Sequence, residues 1–171
     1  MGRTMRALIA NERGLTLAEI LIAVAILGIG LVGLAAVIPG ASYAVQEGNQ
    51  LSTATFLAEQ MIERTRAVTW TGTPATDCLG ASTGDAAPVP TGATCNGATT
   101  TQFSDEAAVS GYPSYRRVVR VTDCGVTACI PGLTDPGMRL VTVTVTYRGL
   151  TAAGQSPTDK PVTLQWLVAR K

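Results

Sequence analysis

Two features near the N-terminus have the residue types and spacing for chemistry. Gly14 closes a polar leader holding Arg3, Arg6, Glu12 and Arg13, and an apolar run opens directly behind it as Leu15-Thr16-Leu17-Ala18-Glu19. A secretory signal is cut after its apolar stretch and loses it. Here the small residue precedes the stretch, so a cut after Gly14 would free an amine at Leu15 and keep the apolar segment. The second feature is Glu19, five positions past the glycine, with no other charge from Ile20 to Ile38. A lone acid costs about 2 to 3 kcal/mol at the centre of a membrane helix and less near its end. Such a carboxylate needs a cationic partner, and a generic signal anchor supplies none.

The segment Gly14-Leu15-Thr16-Leu17-Ala18-Glu19-Ile20-Leu21-Ile22-Ala23-Val24-Ala25-Ile26-Leu27 resembles the prepilin signature of type IV pilins and type II secretion pseudopilins. The resemblance implies that a prepilin peptidase cuts between Gly14 and Leu15 and N-methylates Leu15. It also implies that Glu19 guides subunits into a helical filament. The family usually has Phe after the cut, and Leu at that position leans toward a minor subunit. The following run, Ala25-Ile26-Leu27-Gly28-Ile29-Gly30-Leu31-Val32-Gly33-Leu34-Ala35, is similar to PilV-type and general-secretion I-type minor subunits. The implied partners are prepilin peptidase, other pilin subunits, an inner-membrane assembly platform and, before assembly, the lipid bilayer.

The elements that must position these residues begin with a membrane helix. Nineteen uncharged residues at about 1.5 Å each give roughly 28 Å, close to the hydrocarbon thickness of a bilayer. Arg3, Arg6 and Arg13 precede the run and hold that end in the cytoplasm by the positive-inside rule. The expected location is the inner membrane with a single pass, then a periplasmic or cell-surface filament. The chain has 171 residues and a net charge of +1, which suits one domain plus an anchor. Loss of residues 1–14 leaves 10 cations against 11 anions, a balance without the overall basic footprint of general nucleic-acid binders.

Pro39-Gly40 is expected to kink or loosen the helix. Helical spacing resumes over 41–70, with Val45, Leu51, Ala54, Ala58, Met61, Ile62, Thr65 and Val68 on one face. Gln46, Glu47, Gln50, Glu59, Glu63, Arg64 and Arg66 supply the polar side. Residues 71–114 cluster Gly, Pro, Thr, Ser and Ala and read as a long loop, which the resemblance equates with the variable surface loop of pilins. Period-two alternation then predicts strands over 115–122, 138–148 and 161–169, joined by turn-rich connectors into an antiparallel meander. The expected fold class is α+β. Its parts are a leader (1–14), a membrane and filament-core half of the helix (15–40), an amphipathic half (41–70) and a globular part (71–171) with its strands at 115–169.

Four cysteines, Cys78, Cys95, Cys124 and Cys129, fall on the outer side, where oxidation is permitted. Three connectivities exist, and the preferred one pairs Cys78 with Cys95 and Cys124 with Cys129. A zinc site needs two close ligand pairs, and sixteen residues between Cys78 and Cys95 do not provide them. The absence of His removes the commonest general base, and no enzyme, metal or cofactor is implied. Gly28-Ile29-Gly30-Leu31-Val32-Gly33 matches a dinucleotide fingerprint, but it follows no strand; its glycines fit close helix packing or local unwinding. Asp105-Glu106 reads as a solvated loop pair. Arg116, Arg117, Arg120, Arg139 and Arg148, on two neighbouring strands, could form a basic stripe for DNA, and charged guards on sheet edges are the commoner use.

Overall fold

The computed structural model describes residues 16–70, 77–82, 94–95, 98–99, 103–126, 128–151 and 154–170. Its elements are helix α1 (Leu17–Ala67), a short hairpin of β1 (Thr94–Cys95) and β2 (Ala98–Thr99), and strands β3 (Tyr115–Asp123), β4 (Met138–Thr151) and β5 (Gly154–Ala169). β3, β4 and β5 form an antiparallel sheet in that order. One long helix packed through its second half on a three-stranded antiparallel sheet is an α+β, pilin-like arrangement.

Residues 1–42 and 43–171 are two compact bodies. In the first, every described residue from 16 to 42 is exposed. Large apolar side chains cover all sides of this segment, among them Ile20, Leu27, Ile29, Val32 and Ile38, as expected of a helix whose solvent is hydrocarbon. The interruption expected at Pro39-Gly40 does not end α1. Proline removes one backbone bond to the preceding turn, and helix continues on both sides of the lost bond. Ser42 Oγ donates to the Pro39 carbonyl at 2.8 Å.

In the second body the buried helix residues are Ala54, Leu57, Ala58, Met61, Ile62 and Thr65, a stripe at three- and four-residue spacing. They meet Val119 and Val121 of β3 and Val141, Val143 and Val145 of β4, all fully buried. Val45 and Leu51, expected on the same face, are 63% and 48% exposed. At 100° per residue Val45 lies opposite Ala54, and Leu51 lies on its shoulder. Leu57, absent from the expected face, takes a place in the core.

The strands run longer than the alternation predicts. β4 continues to Thr151 and β5 starts at Gly154, with a register shift between Arg148 and Leu150. The expected connector 149–160 is thus mostly ladder, and polar residues such as Gln155, Thr158 and Asp159 disguise it because that part of β5 is exposed apart from Ser156. Two described stretches of the expected loop 71–114, 77–82 and 103–114, are bound to the outer edge of β3. Glu106 and Arg117 exchange two backbone bonds at 2.9 Å, and Ser82 N donates to the Val121 carbonyl at 2.7 Å.

Cys124 and Cys129 form a disulfide across the β3–β4 connector. By the chain-entropy relation a loop this small contributes about 2 kcal/mol. Replacing both cysteines with Ala should lower stability by that amount, read as an earlier chemical denaturation midpoint at unchanged slope. Cys78 is also disulfide-bonded; its expected partner, Cys95, has a side chain outside the described residues.

Candidate processing and assembly site

The expected cleavage and methylation positions, Gly14 and Leu15, lie outside the described residues; description starts at Thr16. Thr16 precedes the first helical residue, and its carbonyl accepts the first helical bond from Ile20 N at 3.2 Å. Its hydroxyl accepts from Glu19 N at 3.3 Å. The Glu19 carboxylate reaches back to Thr16 N at 3.3 Å and accepts from the Thr16 hydroxyl at 3.4 Å. This reciprocal pair is a capping box, which satisfies two backbone donors that a helix start leaves open. Glu19 therefore has a local duty besides any partner in another chain. The Thr-x-x-Glu spacing that announces it is legible in the sequence, where the charge drew attention from the cap.

Residues 9–35 match the prokaryotic N-terminal methylation motif. The chain carries the signature of the type IV pilin-like prepilins. No curated protein and no solved structure matches the chain. The prepilin motif implies processing by prepilin peptidase and assembly with other pilins, and bearers of it are typically structural subunits rather than enzymes. α1 is long and apolar enough near the N-terminus to cross a membrane, which fits a single-pass, membrane-anchored pilin.

Within the apolar part of α1, a methyl group built on Gly28, Gly30 or Gly33 would meet nothing within 4 Å. Close packing inside one chain does not require them, so any constraint on their size comes from neighbouring molecules or from backbone freedom.

The five arginines do not form one stripe. Arg117 points toward α1, is 2% exposed, and bonds Glu106 at 2.6 Å and the Leu57 carbonyl at 3.0 Å. Arg139 is buried against Asp77 at 2.8 Å, with its guanidinium 4.4 Å from the Trp70 ring centre. Arg120 grips Asp105 through two bonds of 2.7 and 3.2 Å, and Arg148 pairs with Asp159 at 2.9 Å. Asp105-Glu106 is accordingly no solvated pair: its two carboxylates neutralise arginines on opposite faces of the sheet. Four of the five cations are compensated, which removes the charge a DNA footprint needs.

A cluster hidden from sequence reading lies at the start of the sheet-facing stripe. Glu47 and Gln50, expected on the polar side, lie two turns and one turn before Ala54, on its face. Glu47 accepts from Tyr147 Oη at 3.0 Å and Lys160 Nζ at 2.7 Å, tying the helix to β4 and β5. Gly149 is buried beside this carboxylate; a methyl group there would collide with Glu47 Oε2 and crowd Lys160. The Lys160 hydrogen bond, aided by Tyr147, holds the Glu47 carboxyl below its usual range against a smaller opposing effect of burial. Burial, then the bond to Glu47, pushes Tyr147 up to about 12.

The signs of these shifts set a pH window. Glu47 binds its proton more weakly when folded, so its contribution is present above the ordinary carboxyl range and is lost as pH falls through the folded value. Tyr147 holds its proton more tightly when folded, so its contribution is present below about pH 10 and lost as pH rises toward 12. Glu47→Gln should flatten the acid limb of a stability-against-pH curve. Unfolding midpoints measured from pH 3 to pH 7 check this; an unchanged acid limb would contradict it.

Proposed function

We propose that this chain is a structural subunit, of minor type, in a type IV pilus or type IV-like filament. It is cut between Gly14 and Leu15, methylated at Leu15 and assembled through Glu19. The observation that carries the reading is the methylation motif over residues 9–35. The adjoining apolar segment supports it, because a single uncompensated acid persists there only with a function. Residues 15–40 serve first as membrane anchor and then as filament core, 41–70 as the amphipathic half of the spine, and 71–171 as the part outside the membrane. The partners are prepilin peptidase, the inner-membrane assembly platform and neighbouring subunits.

The run from Ala25 to Ala35 also favours a pseudopilin of a type II secretion system. Co-purification of the chain with pilus subunits or with secretion pseudopilins from its own cells separates the two. DNA uptake is the weakest reading, since Arg117, Arg120, Arg139 and Arg148 are already paired with acids.

Mass spectrometry of the protein from cells containing prepilin peptidase tests the processing step. The expected N-terminus is a methylated Leu15. An intact Met1, or a cut beyond Ile38, would overturn the proposal.

A further inference from the structure

Within the body of residues 43–171, α1 is held in two different ways. From Ala54 onward it is held by buried side chains, Ala54, Leu57, Ala58, Met61, Ile62 and Thr65, set against the valines of β3 and β4. From Tyr43 to Thr53 no residue is buried; Tyr43, Glu47, Gln50 and Thr53 are half-buried and the rest are exposed. Its aliphatic side chains Val45 and Leu51 are among the exposed ones, and none of its residues belongs to the core. Among the described residues, three polar bonds fasten this stretch to the sheet. Tyr147 Oη and Lys160 Nζ donate to the same oxygen of Glu47, at 3.0 and 2.7 Å, and Tyr115 Oη donates to the Gln50 carbonyl at 3.4 Å.

Burial and polar pairing respond differently to separation. Packed apolar side chains lose their dispersion contacts and expose area along the whole stripe at once, so residues 54–67 leave the sheet only when the body unfolds. A polar tie exchanges its partner for water. Water already reaches this one: the Lys160 and Glu47 side chains are 45% and 27% exposed, and an ion pair so placed adds little. The Tyr115 bond is long for a hydroxyl donor. The helix is also weak here, because Gly48, Asn49, Ser52 and Thr53 are poor helix formers. Few buried apolar contacts and a weak helix together mark a segment that opens apart from the rest of its body.

We propose that residues 43–53 form a releasable strap, clasped by Glu47 on Tyr147 and Lys160, so that the body is fastened to α1 either from Tyr43 or only from Ala54 onward. Gly149 shapes the clasp. A methyl group there would collide with Glu47 Oε2, so a residue without a side chain lets the carboxylate reach both donors. The clasped form dominates, and the released one is a minor state of about 1%. Release lengthens the part of α1 between the apolar run ending at Ile38 and the body, from residues 39–42 to residues 39–53. The body gains reach and rotation on its tether while every core contact is kept. The strap belongs to the body alone and is the same in a pilus subunit or a secretion pseudopilin.

Amide hydrogen exchange of the full chain in detergent micelles at neutral pH reads the strap. In the unaltered protein, residues 43–53 should exchange more slowly than free chain yet at least about tenfold faster than residues 54–67. Glu47→Ala should speed 43–53 by about tenfold more, the scale of one bond to a charged group, and leave 54–67 unchanged. Ala is the best helix former, so a change in helix propensity alone would slow the exchange. Lys160→Met and Tyr147→Phe remove the donors without altering the helix sequence, and they should act on the same segment in the same direction. A strap that lifts while still wound is read by spin labels at Gln46→Cys and Thr163→Cys, both exposed positions, as a second, longer distance in the Glu47→Ala chain. If the label distance stays single and the variants speed both segments alike, or neither, the strap is overturned. A segment 43–53 that exchanges like free chain in the unaltered protein overturns it as well, since nothing would then clasp it.

Discussion

Glu19→Gln should yield a precursor that is cut normally and anchored normally, yet its share in filaments should fall about a hundredfold. The substitution separates two duties of one side chain. Gln serves as well as Glu at the third helical position of a capping box, so the bonds with Thr16 survive and the helix still starts at Leu17. What disappears is the negative charge. In the proposed assembly that charge meets the freed Leu15 amine of a neighbouring subunit in a low-dielectric setting, where removing one partner of an ion pair costs about 3 kcal/mol or more, or about two powers of ten in population. Glu19→Ala also loses the carboxylate's bond to Thr16 N, while the Thr16 hydroxyl still accepts from the backbone N–H at position 19. Quantitative immunoblots of sheared filaments against membrane fractions read the outcome. Equal incorporation of Glu19→Gln and the unaltered chain would show that capping is the whole role of Glu19.

The sequence carries this end of the molecule plainly because both signals are local. A glycine before an apolar run and a carboxylate within it follow from chemistry on consecutive residues. Thr16 with Glu19 is a three-residue spacing that needs no tertiary contact. The strands are nearly as legible. Val141, Val143 and Val145 against Thr142, Thr144 and Thr146 give the period of a sheet with one buried face, and the observed burial follows it. Legibility fails where a polar residue has a buried use. Glu47 and Gln50 look like solvent-facing helix residues until Tyr147 and Lys160 come beside Glu47 from about a hundred positions away. Arg117 and Arg139 look like surface cations because their acids, Glu106 and Asp77, sit in a segment with no periodicity. Long-range pairing of opposite charges leaves no spacing rule in one sequence, and the alternation of β3 in fact points Arg117 inward without saying what would receive it.

That buried pairing is also where the body of residues 43–171 should be most sensitive to a single change. Asp77→Ala is expected to destabilise it by about 3 kcal/mol. The Asp77 carboxylate holds Arg139 at 2.8 Å and also accepts Leu79 N at 3.1 Å and Gly80 N at 2.8 Å. Both charged side chains are only 10% exposed, so water cannot readily replace what is lost. Arg139 has little in reserve: its Nε is buried without a hydrogen-bond partner, and the other nearby anion, Asp123, is 3.7 Å away. The Trp70 ring beneath it offers roughly 1 to 2 kcal/mol of cation–π attraction, too little to hold a buried guanidinium alone. Asp77→Asn keeps an oxygen for Leu79 and Gly80 and should fall between. Removing both charges, in Asp77→Ala with Arg139→Met, should recover most of the loss, since an apolar side chain of similar length over Trp70 carries no desolvation cost. Thermal melting of Asp77→Ala, Arg139→Met, the double variant and the unaltered chain forms a double-mutant cycle. A single Asp77→Ala variant melting within about 2 °C of the unaltered protein would mean that Arg139 finds water or another anion, and that the bond between Asp77 and β4 is not what holds residues 77–82 against the sheet.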